Sequence, residues 1–249
     1  WDAWKRNHGK DGAPALVWQA DTRTMNPSVP KSLIEGAYER DPASAAAEYG
    51  AKFRSDVETF IRREAVEACT VDGRYELPPV GSIKYTGFVD PSGGAQDSFT
   101  MAVAHRAGGQ AVLDCVREVK PPFSPEQVTM EFAGVFNSYR VRTVMGDRYG
   151  GEWPRERFRA HSITYKVAKQ VKSDLYRELL PTINSGKAEL LDHPRMFTQL
   201  LSLERRTARG GRDSIDHAPG GHDDLINAAA GALVCTASTR PRAGTWGRG

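Results

Sequence analysis

Four aspartates in three places can gather negative charge. Asp90 closes the apolar run that starts at Lys84 and opens into Pro91-Ser92-Gly93-Gly94. Asp147 follows the apolar run Val141 to Met145 through Gly146 and leads into Arg148-Tyr149-Gly150-Gly151. Each reads as a carboxylate at the C-terminal edge of a strand, the edge where open α/β sheets bind ligands. The third place is Gly220-Gly221-His222-Asp223-Asp224, just ahead of an Ala-rich helical run. One acid there has an ordinary reading as a helix cap worth roughly 0.3–1 kcal/mol, and an Asp in a turn simply bonds nearby backbone. Capping leaves the second of two tandem acids unexplained, because successive side chains leave a helix about 100° apart. Carboxylates without a cysteine cluster or a histidine triplet favour hard divalent cations, Mg²⁺ or Mn²⁺. Gathered carboxylates repel one another, so a cation among them is what makes the cluster tolerable. Two such ions about 3.5–4 Å apart can activate a water and stabilise the leaving oxygen of a phosphodiester.

The elements that must position these acids are legible from the pattern. Lys84–Asp90, Phe99–His105, Ala111–Val119 and Val141–Met145 read as strands, with Gly108-Gly109 as a hairpin turn. Ser124-Pro125-Glu126-Gln127 is a helix start, with Ser as cap and Pro in the first position. Glu152–Arg159, Ser173–Ile183, Pro194–Leu203 and His222–Thr236 read as helices, and Ser162–Lys166 as a short strand. The order implies a mixed sheet flanked by helices, an α/β fold. Residues 1–70 read differently, as a helical arm or linker: a strand at Ala15–Gln19, a turn-rich connection from Thr22 to Pro30, then helical spacing over Ser32–Arg40 and Pro42–Arg63. The expected organisation is an arm over 1–70, one α/β domain over 71–238, and a flexible Gly/Arg-rich tail over 239–249.

Of the 249 residues 39% are hydrophobic and 26% charged, enough for a sizeable core. No apolar stretch approaches the roughly 18–20 residues of a membrane helix, so no membrane partner is expected. Cys69, Cys115 and Cys235 are too scattered for a zinc pattern and too few for a disulfide framework, which suits a reducing, intracellular setting. Lys and Arg number 34 against 31 Asp and Glu, so the net charge of +3 does not select a partner.

Placement of charge is more telling. Arg205, Arg206, Arg209 and Arg212 form a basic loop ahead of the acid-bearing helix, and Lys166, Lys169 and Lys172 follow a short strand. Both groups suit phosphate contact with salt-sensitive binding, and both also suit a solvated surface. His217 and His222 flank the third acid and can assist there or do nothing, while Asp97 is an auxiliary acid or a turn residue. Trp1, Trp4, Trp18, Trp153 and Trp246 make no spaced stacking platform.

Taken in order, Phe88-Val89-Asp90-Pro91-Ser92-Gly93-Gly94-Ala95-Gln96-Asp97, Met145-Gly146-Asp147 and His222-Asp223-Asp224-Leu225-Ile226-Asn227-Ala228 resemble the nuclease domain of the large terminase subunit of tailed bacteriophages. Thr24-Met25-Asn26-Pro27 and the run Asp41 to Tyr49 resemble the stretch that joins that family's ATPase motor to its nuclease. The resemblance implies an RNase H-like fold and an endonuclease that cuts concatemeric viral DNA during packaging. It implies Asp90, Asp147 and Asp224 as catalytic metal ligands, with Asp223 as a further acid of the same site and two Mg²⁺ or Mn²⁺ ions as cofactors. Double-stranded DNA, the portal, the small terminase subunit and a motor region of the same polypeptide are the implied partners, in the cytoplasm of the infected host.

Two departures from the family pattern stand out. No Gly-x-x-x-x-Gly-Lys-Ser/Thr occurs, so ATP hydrolysis by this chain alone is not expected. Some RNase H-like nucleases carry glutamate at the second position, where this chain has the shorter Asp147. Rival readings are a junction resolvase or transposase of the same fold, a non-catalytic DNA-binding module, and an assembly piece whose arm docks a partner.

Overall fold

The computed structural model describes residues 2–52, 57–148, 152–207, 213–218 and 220–238, which fall into two compact units dividing between Glu58 and Thr59. The first unit holds α1 (Asp2–Asn7), α2 (Thr22–Met25), α3 (Lys31–Arg40) and α4 (Pro42–Glu48), and β1 (Val57–Thr59) spans the division. Asp21 caps α2 by accepting from the Arg23 and Thr24 N–H groups, and Asp41 caps α4 by accepting from Ser44, with Pro42 in the first position.

Two expectations fail in this region. The helix expected to run on to Arg63 stops at Glu48: Ala51 has φ +52°, a left-handed backbone that cannot continue it, and Val57–Thr59 is extended. Residues 53–56, within that expected helix, lie outside the described residues. Ala15–Gln19 forms no strand. Its ties are side-chain ones, Gln19 accepting from Trp4 Nε1 and donating to the Ala51 carbonyl.

The second unit runs α5 (Arg63–Cys69), β2 (Thr70–Val71), β3 (Tyr85–Asp90), β4 (Phe99–Ala107), β5 (Gln110–Val119), α6 (Pro125–Ser138), β6 (Thr143–Gly146), α7 (Trp153–Ala160), β7 (Thr164–Val167), α8 (Lys172–Asn184), β8 (Ala188–Leu191), α9 (Pro194–Leu201), β9 (Leu203–Thr207), β10 (Asp213–His217) and α10 (Asp224–Ser238). Seven strands form one sheet in the order β2-β8-β5-β4-β3-β6-β7. Strand β4 is antiparallel to both neighbours and every other pairing is parallel. The β4–β5 turn is Gly108-Gly109 at φ +55° and +90°, two left-handed residues in succession, as a tight hairpin of this hand requires.

Period-2 alternation distributes the strand side chains between two cores. Val89, Met101 and Val103 pack with Phe132, Phe136 and Phe158 of α6 and α7. Phe88, Ala102, Ala104 and Leu113 pack with α8, α9 and α10. Helix α10 lies against the middle of the sheet, and Leu225 through Val234 are all buried, which is why its sequence is apolar on every side. At Gly231 an added Cβ would lie 2.3 Å from the Phe88 ring, so only glycine lets helix and strand approach this closely.

The periodicity left several strands unread, β8, β9 and β10 among them. Ala188–Leu191 is strand β8, and Leu203 begins a β9–β10 hairpin where helix and then basic loop were expected. Among the described residues no helix is long and apolar enough to cross a membrane.

Candidate metal centre

Strands β3 and β6 are adjacent and parallel, with Val89 opposite Gly146. Each chain then presents its next residue at the same sheet edge, and those residues are Asp90 and Asp147. Topology thus brings together two carboxylates far apart in sequence. The Asn227 side-chain nitrogen donates to both, to Asp90 Oδ2 at 2.9 Å and Asp147 Oδ2 at 2.8 Å. Burial, then the Asp147 charge, lifts the Asp90 carboxyl well above the ordinary carboxylate range, against the Asn227 hydrogen bond. Burial raises Asp147 as well, opposed by Asn227 and the Lys172 charge. Both shifts have the same physical cause: a charge removed from water beside like charges.

Helix α10 supplies the third carboxylate site. Its first turn is pinned to the sheet by the Thr100 hydroxyl, which donates to the Asp224 carbonyl at 2.7 Å. Gln199 Oε1 accepts from the Ile226 N–H, satisfying one donor that a helix start leaves open. The tandem acids then part ways. Asp223 is buried, with Oδ2 accepting from the Tyr176 hydroxyl and the Lys172 ammonium, each at 2.9 Å. Lys172 also reaches Asp223 Oδ1 at 3.2 Å and Asp216 Oδ1 at 2.9 Å. Asp224 differs: its buried Oδ2 has no hydrogen-bond partner among the described residues, and His222 Nδ1 stands 4.0 Å away. Burial, then the Asp223 charge, raises Asp224. The Asp224 charge contributes to raising Asp90, and a buried carboxylate oxygen left without a donor fits a hard cation, whose ligands are oxygens.

Asp97 is exposed, and its charge contributes to raising Asp224. His217 contacts the Ala218 carbonyl through Nδ1 at 2.8 Å, and its backbone N–H donates to Asp216. Possible ligand atoms of Asp216, His217 and Asp223 lie within 4.8 Å of one another, at the place where Lys172 bonds both acids. Lys166 and Lys169 are exposed. Lys172 faces inward, committed to Asp216 and Asp223; its charge holds the Asp216 carboxyl below the ordinary range although burial pulls the other way.

Arg205 corrects an expectation. Rather than lining a loop it sits on β9, 3% exposed, with its guanidinium 5.4 Å from the Phe60 ring centre and its Nε 3.8 Å from Asp213. A side chain so enclosed cannot reach a phosphate. Arg206 stays accessible beside Glu204, while Arg209 and Arg212 lie outside the described residues.

Asn227, Tyr176, Asp216 and the inward role of Lys172 escaped the sequence reading. Two signals point to them. Asn227 is a polar residue inside the apolar run of α10, three and four residues after the tandem acids and so on their face. Lys172 and Tyr176 are likewise four apart on α8.

No protein-family model matches the chain, and no curated protein matches it by sequence. Solved structures do match. The chain is similar to the large terminase nuclease of the thermophilic phage G20c at 16% identity and TM-score 0.55, over 73% of this chain and 89% of that one. The G20c nuclease is also known with bound magnesium and with bound cobalt. The chain resembles the large terminase of a second thermophilic bacteriophage at 14% identity and TM-score 0.65, over 84% of this chain and 52% of that one. It resembles the HK97 bacteriophage large terminase at 15% identity and TM-score 0.58, over 90% of this chain and 52% of that one. It thus spans about half the length of those two proteins. Its mixed sheet flanked by helices has the RNase H-like fold of the nuclease domains of phage large terminases.

Proposed function

We propose that the chain is the nuclease portion of a phage large terminase, a metal-dependent endonuclease that cuts concatemeric viral DNA during packaging. One observation carries the reading: Asp90 and Asp147 converge on the Asn227 amide at the sheet edge, and Asp224, whose charge contributes to raising Asp90, keeps a buried Oδ2 without a donor among the described residues. The similarity to a nuclease known with bound magnesium and cobalt supports it.

Asp90, Asp147 and Asp224 are the residues that would hold two Mg²⁺ or Mn²⁺ ions. When bound, such ions supply Lewis acidity toward a phosphodiester and a water of lowered pKa. The protein's part is to fix the oxygens before an ion arrives. Parallel neighbours β3 and β6 set Asp90 against Asp147, and the Thr100 and Gln199 bonds fix the start of α10 and with it Asp224. Asp223, already bonded to Lys172 and Tyr176, anchors α8 to the start of α10, and we assign it that part ahead of direct ion binding.

Duplex DNA is the proposed substrate, held through backbone phosphate with little sequence readout. Exposed Lys166 and Lys169 and half-buried Arg206 are the proposed contacts, and their contribution would fall with salt. The nuclease activity is assigned to residues 71–238, with 1–70 as the linker toward an ATPase motor. The portal and small terminase subunit are the proposed assembly partners.

The test is a supercoiled plasmid incubated with the chain in Mg²⁺ or Mn²⁺, in EDTA, and with Asp90→Asn. Metal-dependent nicking and linearisation, absent in EDTA and in the variant, is the expected result. DNA binding without cleavage in any metal would sink the reading in favour of a binding module. Cutting confined to branched junctions, or joining of strand ends, would favour a resolvase or transposase.

A further inference from the structure

We propose that Asn227 is a positioning residue for cation capture: its one side-chain nitrogen bridges Asp90 and Asp147 and leaves a second oxygen on each carboxylate for an ion. The inference rests on the metal-dependent reading above and adds a residue to it. Asn227 is 1% exposed and donates at 2.9 and 2.8 Å to Oδ2 of the two acids. An amide nitrogen carries two hydrogens, so a single Asn can serve two acceptors. Other side chains would do this less well. Lysine would bring a positive charge that competes with the ion, aspartate would add a further repelling charge, and a hydroxyl has a single hydrogen to donate. A neutral double donor steadies the pair and still leaves the acids' charge for a cation.

The placement follows from α10 itself. Asp223, Asn227 and Gly231 are spaced by four and share one face of the helix. Gly231 brings that face onto Phe88, two residues before Asp90 on β3. The close approach at Gly231 therefore delivers the amide to the strand end one helical turn earlier. Asn227 Oδ1 has no hydrogen-bond partner among the described residues. Turning the amide over would set that oxygen against two carboxylates, so the acids themselves fix its orientation.

Outer groups that orient metal ligands typically change metal affinity by about 10- to 100-fold when removed. The experiment titrates Mn²⁺ alone into the full chain by calorimetry, comparing wild type, Asn227→Leu, Asn227→Ala and Asp90→Asn, with far-UV circular dichroism as the check on folding. The expected result is a folded Leu or Ala variant whose Mn²⁺ Kd is raised on the order of 10- to 100-fold. A folded variant binding Mn²⁺ within about two-fold of wild type overturns the inference and leaves the metal site standing. Wild type that binds no Mn²⁺, or binds it as Asp90→Asn does, overturns the metal-dependent reading itself and this inference with it. Should both variants unfold in EDTA, melts across a Mn²⁺ series decide the matter. Refolding at the concentration that saturates wild type counts against the proposal, and a need for about ten-fold more ion supports it.

Discussion

Gly231 and Phe88 touch where α10 crosses β3, so closely that a single added carbon on the glycine would lie 2.3 Å from the ring. The contact sets the distance between the helix that carries Asp224 and the strand that ends in Asp90. Gly231→Ala is expected to cost about 1–3 kcal/mol through overpacking, since neither ring nor helix can retreat within a packed core. Urea denaturation in EDTA measures the loss. Because the helix must shift, metal-dependent cleavage should fall by more than the unfolded fraction accounts for.

Raised carboxyls at Asp90, Asp147 and Asp224 oppose, in the metal-free protein, the usual gain of stability as carboxylates ionise. Burial together with neighbouring acids lifts Asp90, Asp147 and Asp224 above their unfolded values. At these three positions the native state holds more protons than the unfolded chain, so their contribution to stability declines as pH rises from about 4 through the raised values. In EDTA the melting temperature should drop over that range more steeply for wild type than for Asp90→Asn, which keeps the shape and sheds one charge. Millimolar Mn²⁺ should flatten the wild-type profile, the ion replacing the protons. Identical profiles for wild type and variant would refute the linkage.

Lys172 joins α8 to two acids, Asp216 on β10 and Asp223 at the start of α10. Lys172→Met removes the ammonium and leaves Asp223, 4% exposed, with the Tyr176 hydroxyl as its remaining side-chain donor among the described residues. A buried hydrogen-bonding group that loses its partner typically costs about 1–3 kcal/mol, and a charged one more; Lys172 is part-exposed and Asp223 keeps the Tyr176 hydroxyl, so a cost within that range is expected. Chemical denaturation reports the cost, and Lys172→Arg should recover part of it.

Two neighbouring arginines on β9 should behave in opposite ways. Arg205 is enclosed near Phe60 and Asp213, so Arg205→Ala should lower stability by about 1–3 kcal/mol without changing the salt dependence of DNA binding. Arg206→Ala, at a half-exposed site, should stay within about 0.5 kcal/mol of wild type. If Arg206 meets a phosphate, the same substitution reduces the salt slope of binding by about one. Melting curves and a salt titration of DNA affinity separate the two.

Local pattern was enough for much of this protein. Strands β3 to β6, helices α6 to α8 and α10, the Gly108-Gly109 turn and the strand-end places of Asp90 and Asp147 all follow from side-chain period, caps and turn chemistry, which act within a few residues. What the chain could not announce is adjacency. That β3 lies beside β6 depends on the whole sheet closing in one order, and that α10 sinks onto Phe88 depends on two surfaces meeting. Arg205 shows the same limit from the other side. In a Gly/Arg-rich stretch it has the composition of a solvated loop, and only pairing of β9 with β10 turned it inward. Asn227 was visible as an odd polar residue in an apolar helix, but its two acceptors come from strands 80 and 137 positions away. Short-range chemistry chose the acids and the elements that carry them; long-range packing decided which oxygens share a donor and which one was left without.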